Sequence, residues 1–372
     1  MQVGGRDEKR VFASLDGLRG VAALFVAMRH TSFFHNLGIH GGYLAVDLFF
    51  VLSGFVIAHA YEGRLERGLS AGRFLALRYL RLWPVYALGA VLGLIAAAAQ
   101  ALPGRDNLNL GQVIHTAPFA LLMLPGPHIK PMLYAVNSVA WSLALELLVN
   151  LVYAFAWRPL RDARVLAGAL IASALWLIGA TLWFGKLDIG FMWSDAAGGL
   201  PRVAFSFTAG LALCRLYQAR PWRGIVPAWA PLLALAPVLY ARLDEVVWPL
   251  LCVLVLFPAL VAAAAATEPK PRMGRLFAVL GAASYPLYAL HKPAGELMTL
   301  WVRHVSPHDV RAPWIGVLFL AVLTGLCLLV ERFYDRPVRR GMTRGLDLAT
   351  GLLSGRGRRR AAAPAGALTA DA

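Results

Sequence analysis

Ten stretches of the chain, roughly 15–35, 43–61, 83–101, 134–156, 165–184, 198–216, 225–241, 246–266, 276–297 and 313–332, are almost continuously apolar. Each is close to the ~20 residues that a helix needs to cross the hydrocarbon core of a bilayer. In that solvent every backbone N–H and C=O must be satisfied within the segment, so such runs become helices. The expected fold is all-α: a polytopic membrane protein with about ten transmembrane helices in one bundle. The run "GQVIHTAPFALLML" (111–124) is too short to span. It is expected to be re-entrant or to lie along the outer surface.

The charges set the orientation. Charged residues make up 15% of the chain, against about 25% in an average soluble protein, so the net charge of +16 has to be read by position. Segments 1–14, 62–82, 157–164, 215–223, 267–275 and the tail from 331 hold 26 Lys and Arg, and the alternating segments hold six. Positive charge collects on the cytoplasmic side, so both termini are expected there, in a multi-pass protein of the cell (inner or plasma) membrane. Charges in short loops between apolar runs meet lipid headgroups and exclude a nucleic-acid partner. No small-residue cleavage site follows the first apolar run, so that run reads as a retained span. Residues 11–340 read as one membrane domain, and 341–372 as a basic, disordered cytoplasmic tail. Cys214, Cys252 and Cys327 have neither metal-ligand nor disulfide spacing, and no metal site is expected.

Ionisable side chains at membrane depth are costly, so each is a candidate for function. "LDGLRGVAALFVAMRH" (15–30) carries Arg19 and His30. Eleven helical steps bring both to one face within about 20°, some 16 Å apart along the axis. Arg19 then stands at the cytoplasmic edge and His30 in the outer half, on what is expected to be one continuous internal channel. The next span returns with Asp47 near its outer end, at a depth similar to His30. A carboxylate there would fix the imidazole tautomer and support a general base, or pin two helices together. Ser53 and Gly54 read as close-packing positions.

In "RFLALRYLRLWPVY" (73–86), read as a cytoplasmic loop, Arg78 and Arg81 are three residues apart, before Pro84 opens the third span. With Arg19 they make a phosphate clamp. In the fourth span, Ser138, Ser142, Glu146 and Asn150 recur every four residues as a polar stripe facing the bundle interior or a wet cavity. Glu146 is either a second acid/base or the counter-charge of Arg202. In the ninth span, Ser284, Tyr288 and His291 share a face, with His291 level with His30 and read first as a hydrogen-bonded helix tie. Lys292 snorkels outward.

With these residues in view, the chain resembles the acyltransferase-3 family of integral membrane acyltransferases. "LDGLRGVAALFVAMRH" matches its Arg-x10-His signature at Arg19 and His30, and "GYLAVDLFFVLSGFVI" its second helix. "RYLRLWP" matches its Arg-x-x-Arg motif at Arg78 and Arg81, although Leu77 stands where the family often has a further Arg. "VAWSLALELLVNLVY" matches at Trp141, Ser142 and Glu146, and "SYPLYALHKP" and "ERFYDRPVRR" also fit, so the likeness covers about 11–340.

The resemblance implies transfer of an acyl group, commonly acetyl, from cytoplasmic acyl-CoA to a hydroxyl of a surface polysaccharide or glycolipid. His30 takes the place of the family's essential histidine. Acyl-CoA is then a co-substrate, not a resident cofactor. Some members continue into a periplasmic esterase-like domain, which this sequence is expected to lack. Combining both readings, Arg19, Arg78 and Arg81 grip the CoA phosphates, and the pantetheine arm carries the thioester toward His30. His30, oriented by Asp47, deprotonates the acceptor. The rival class is a ten-span exporter of a lipid, sugar or drug; matching halves, common in transporters, are not visible. An inactive scaffold is the third. The loop 102–133 is the expected seat of acceptor selectivity.

Overall fold

The computed structural model describes residues 12–101, 108–222, 224, 226–241 and 243–361, the last twelve as backbone only. The expectations for residues 1–11, for part of the outer loop (102–107) and for the tail beyond 361 lie outside the described residues.

The described chain is helical, with α1 (Ala13–His30), α2 (Ala45–Glu66), α3 (Ala71–Gln100), α4 (Leu110–Leu121) and α5 (Ala140–Ala156) forming its first half. The second half holds α6 (Ala163–Phe184), α7 (Gly199–Ala219), α8 (Ala230–Tyr240), α9 (Val247–Leu251), α10 (Phe257–Ala265) and α11 (Pro271–Val305). It closes with α12 (Pro313–Val330) and α13 (Arg336–Ala361). Single π-turns, Cys252–Leu256 and Glu331–Asp335, join α9 to α10 and α12 to α13. Every one of the ten apolar windows overlaps a helix or a helix pair. Among the described residues, six helical stretches are long and apolar enough to cross a membrane. They contain α2, α3, α6, α7, α9–α10 and α12–α13. The protein is thus an all-helical, multi-pass membrane protein.

Helices α1 and α11 are not among the six, and the reason is chemical. Asp16, Arg19, Arg29 and His30 on α1, and the tyrosines, prolines, His291 and Lys292 on α11, lower the apolarity of the helices that carry the polar groups. These two pack against each other along their length, α2 packs on α7, and α3 on α11. The tightest crossing is between α2 and α7. A Cβ on Gly54 would stand 2.1 Å from the Phe207 carbonyl oxygen, and one on Gly210 2.1 Å from that of Val51. Only hydrogen at both positions lets the backbones meet this closely, as small residues do between membrane helices. Outward, α6 and α12 present Leu175, Trp176, Trp183, Val317, Val322 and Leu326. An exposed belt of this size suits acyl chains, not water.

Three boundaries differ from the sequence expectation. Arg78 and Arg81 are not in a loop: α3 begins at Ala71, where the Ser70 hydroxyl accepts from the Arg73 N–H at 3.3 Å, and continues through Pro84. A serine cap and a run of good helix formers outweigh the one hydrogen bond that Pro84 removes. Ser138 precedes α5, so the stripe on the helix starts at Ser142. The segment after 340, read as disordered, is helical to Ala361 as part of α13, and Arg73 reaches Asp347 on it at 2.6 Å. The short run 111–124 forms α4, held against α3 by Trp83 Nε1 on the Leu121 carbonyl at 3.0 Å and by the Tyr86 hydroxyl on that of Ala120.

Candidate functional site

Five helices, α1, α2, α3, α5 and α11, enclose a cavity of about 170 Å³. Its polar lining is Arg19, Ser53, Arg78, Arg81, Ser142, Glu146, Ser284, Tyr285 and Tyr288, set in a wall that includes Phe49, Phe50 and Leu143. The three arginines of the expected clamp therefore share one cavity with Ser142, Glu146 and Tyr288.

Each guanidinium is held in place. Arg19 donates from Nη2 to Asp16 Oδ1 at 2.6 Å and from Nε to the Ser284 hydroxyl at 3.1 Å. Arg78 donates to Glu146 Oε1 at 2.6 Å, and the Ser53 hydroxyl donates to the same oxygen at 3.0 Å. Arg81 lies over the Tyr285 ring, 5.3 Å from its centroid, and 3.6 Å from Asp335, which also pairs with Arg339 at 2.9 Å. The side chains of Arg19 and Arg81 are 34% and 36% exposed and that of Arg78 only 12%, which puts the first two at the mouth and the third inside. Each of the three guanidiniums thus faces a carboxylate, of Asp16, Glu146 or Asp335, and of these acids only Glu146 lines the cavity.

The inner end is closed by buried hydroxyls. Ser142 Oγ and Tyr288 OH are 2.5 Å apart, and both reach the Val139 carbonyl, at 3.1 and 3.3 Å. The edge of Phe49 meets the Tyr288 ring at a centroid distance of 5.4 Å. One turn further along α11, the His291 ring is 6.0 Å from that of Tyr288 and 5.2 Å from that of His30. Neither histidine lines the cavity. The expected open channel from the arginines to His30 is thus corrected to a cavity that stops at Tyr288 and Phe49, with His291 and His30 beyond.

The histidine tautomers follow from the backbone. His30 Nδ1 is 2.9 Å from the Val26 carbonyl, and His291 Nδ1 is 3.0 Å from that of Leu287. A carbonyl can only accept, so each Nδ1 carries the proton and each Nε2 is left with a lone pair. His291 is fully buried and its Nε2 has no partner. The orientation that Asp47 was expected to give His30 comes instead from the preceding turn of α1.

Asp47 belongs to a different contact. Its carboxylate binds Arg202 through Nη2 at 2.6 Å and Nε at 3.2 Å, with both side chains fully buried. Arg202 also donates to the carbonyls of Ile189 at 2.7 Å and Tyr43 at 3.3 Å, and lies over the Trp141 ring. This buried pair ties α2 to α7. Glu146 is consequently not the counter-charge of Arg202; it is that of Arg78. Sequence reasoning missed Tyr285, Asp335 and Asn137. Asp335 had a signal, as one of the few acids in a strongly basic stretch. Asn137 answers a proline: Pro293 has no N–H for the Ala289 carbonyl, and Asn137 Nδ2 donates to that carbonyl at 3.1 Å.

Comparison with known proteins adds the family. A family model described as an acyltransferase domain matches residues 12–332. Protein 2 in the picA locus of Rhizobium radiobacter is 45% identical over 157 residues, 38% of this chain and 81% of that protein. The peptidoglycan O-acetyltransferase OatA of Listeria monocytogenes is 24% identical over 375 aligned positions, covering 90% of this chain. The chain spans 57% of the length of OatA. No solved structure matches.

Proposed function

Because the chain belongs to the acyltransferase-3 family of membrane acyltransferases, we propose that it moves an acyl group, acetyl in the simplest case, from acyl-CoA on the cytoplasmic side to a hydroxyl of a surface or lipid-linked carbohydrate. The observation that carries this reading is the convergence of Arg19, Arg78 and Arg81 on one cavity whose far end faces a histidine pair. Guanidiniums at the mouth suit the phosphates of a CoA nucleotide. The narrow interior suits its pantetheine arm, and the Ser142–Tyr288 end suits the thioester. The likeness to OatA, a peptidoglycan O-acetyltransferase, supports a hydroxyl acceptor, and a glycan one.

In the proposed reaction, Tyr288 stays held by Ser142 and the Val139 carbonyl, Phe49 swings aside, and the thioester meets a hydroxyl entering from the outer side. His30 Nε2 takes the hydroxyl proton, and the oxygen attacks the thioester carbonyl carbon. The C–S bond breaks, and CoA thiolate leaves and takes the proton back from His30. A positioned base of this kind contributes roughly 10²–10⁴-fold in rate. Glu146 keeps Arg78 aimed into the cavity. The reading includes ten spans, both termini cytoplasmic, residues 11–340 as the catalytic domain and the cell (inner or plasma) membrane as the site. It is tested by incubating membranes that contain the protein with isotopically labelled acetyl-CoA. Label in the carbohydrate fraction and release of free CoA are expected; an exporter consumes no thioester.

A further inference from the structure

His30 and His291 come from different helices, α1 and α11, yet their rings are 5.2 Å apart and tilted by 55°. Both spend their Nδ1 proton on the carbonyl one turn back, at 2.9 and 3.0 Å. What remains on each ring is a lone pair at Nε2. With the ring centroids 5.2 Å apart, these two acceptor nitrogens belong to one neighbourhood, and neither can donate to the other. Leaving a buried acceptor unsatisfied costs the desolvation of that atom, and His291 Nε2 is such an atom. The Nδ1 bond stays within α11, so it ties no second helix, and it leaves the other nitrogen unaccounted for. His30, by contrast, is only partly buried, so the pair is approached from its side.

We infer that His291 is a second catalytic histidine, and that the two Nε2 atoms together form a receptor for two neighbouring hydroxyls of a sugar ring. This rests on the acyl-transfer reading above and names the acceptor within it. A vicinal diol supplies two O–H donors on adjacent carbons, one for each lone pair. The hydroxyl on His30 gives up its proton and attacks the thioester; the hydroxyl on His291 donates a hydrogen bond and keeps its proton. No bond forms or breaks at His291. Its part is to fix the ring so that one particular hydroxyl faces His30, which makes it the residue that sets the position acylated.

Two substitutions separate this role from a structural one. His291→Asn keeps an N–H near the Nδ1 position, so the contact to the Leu287 carbonyl survives while the Nε2 acceptor is lost. His291→Gln reverses this, placing an amide oxygen near the Nε2 position. The experiment uses membranes carrying the full-length chain and labelled acetyl-CoA, and reads both the rate and the position of the label on the product sugar. His291→Asn is expected to lower kcat/KM about 10-fold or more and to spread label over adjacent hydroxyls, with acetyl-CoA binding unchanged. His291→Gln is expected to retain more activity than His291→Asn and a single labelled position. Wild-type rate and labelling in His291→Asn overturn the inference, as do equal losses in the two variants. A wild-type protein that labels no carbohydrate overturns the acyl-transfer reading itself.

Discussion

Arg202 and Asp47 form a two-point ion pair, at 2.6 and 3.2 Å, in which neither side chain has any exposed surface. Two further N–H groups go to the Ile189 and Tyr43 carbonyls, so four of the guanidinium's five N–H donors are engaged inside the protein. Removing one partner leaves a bare charge in a low-dielectric interior, at a cost of about 3–5 kcal/mol. Asp47→Ala should therefore sharply reduce the thermal stability and yield of detergent-solubilised protein. Activity per folded molecule should survive, and a folded but inactive Asp47→Ala protein would return Asp47 to the chemistry.

The crossing of α2 over α7 gives a second stability test. At Gly54 an added methyl carbon would overlap the Phe207 carbonyl oxygen, a backbone atom that cannot turn away. Gly54→Ala should push the helices apart at a cost of about 1–3 kcal/mol or more. Ser53→Ala, at the adjacent position, faces the cavity and should leave the melting temperature nearly unchanged while loosening Glu146.

Arg78 and Arg81 are the proposed contacts to the acyl donor. If they bind CoA phosphate, the Arg78→Ala, Arg81→Ala double variant loses charge-assisted hydrogen bonds worth about 1.5–3 kcal/mol each. Its KM for acetyl-CoA should rise at least tenfold, with a smaller change in kcat at saturation. Glu146→Gln should raise KM less, because Arg78 stays charged and loses only its anchor. An unchanged KM in the double variant would confine these arginines to topology.

The Tyr288 ring closes the inner end of the cavity, so its size should limit the acyl chain. Tyr288→Ala is expected to shift preference from acetyl- toward butyryl-CoA in competition assays, whereas Tyr288→Phe keeps the ring and the preference. Equal use of the two donors by wild type and Tyr288→Ala would show that the chain end lies elsewhere.

Much of the helical plan was legible in the sequence because lipid demands long uninterrupted runs, and those runs stand out one at a time. The exceptions were places where another rule applies. Arg78 and Arg81 interrupt the apolar pattern without interrupting the helix, since α3 continues past the apolar run at its N-terminal end. Stacking of Arg19 and His30 was readable from helical periodicity within one segment, and the level of His291 from depth along its own span. The partners of Asp47 and Glu146 were not readable. They depend on which helices are neighbours, α2 with α7 and α3 with α5, and nothing local in either segment records that. The interruption at Tyr288 was hidden for the same reason, since a side chain of α11 fills space between α1, α2 and α5.

In the proposed reaction His30, held by the Val26 carbonyl, is the group that takes the acceptor proton. The most direct measurement is transfer of isotopic label from acetyl-CoA to carbohydrate in membranes carrying His30→Ala, with protein level and acetyl-CoA binding measured in the same membranes. The account predicts normal insertion and donor binding with transfer reduced by a factor on the order of 10² or more. Transfer at the wild-type rate by His30→Ala would contradict it.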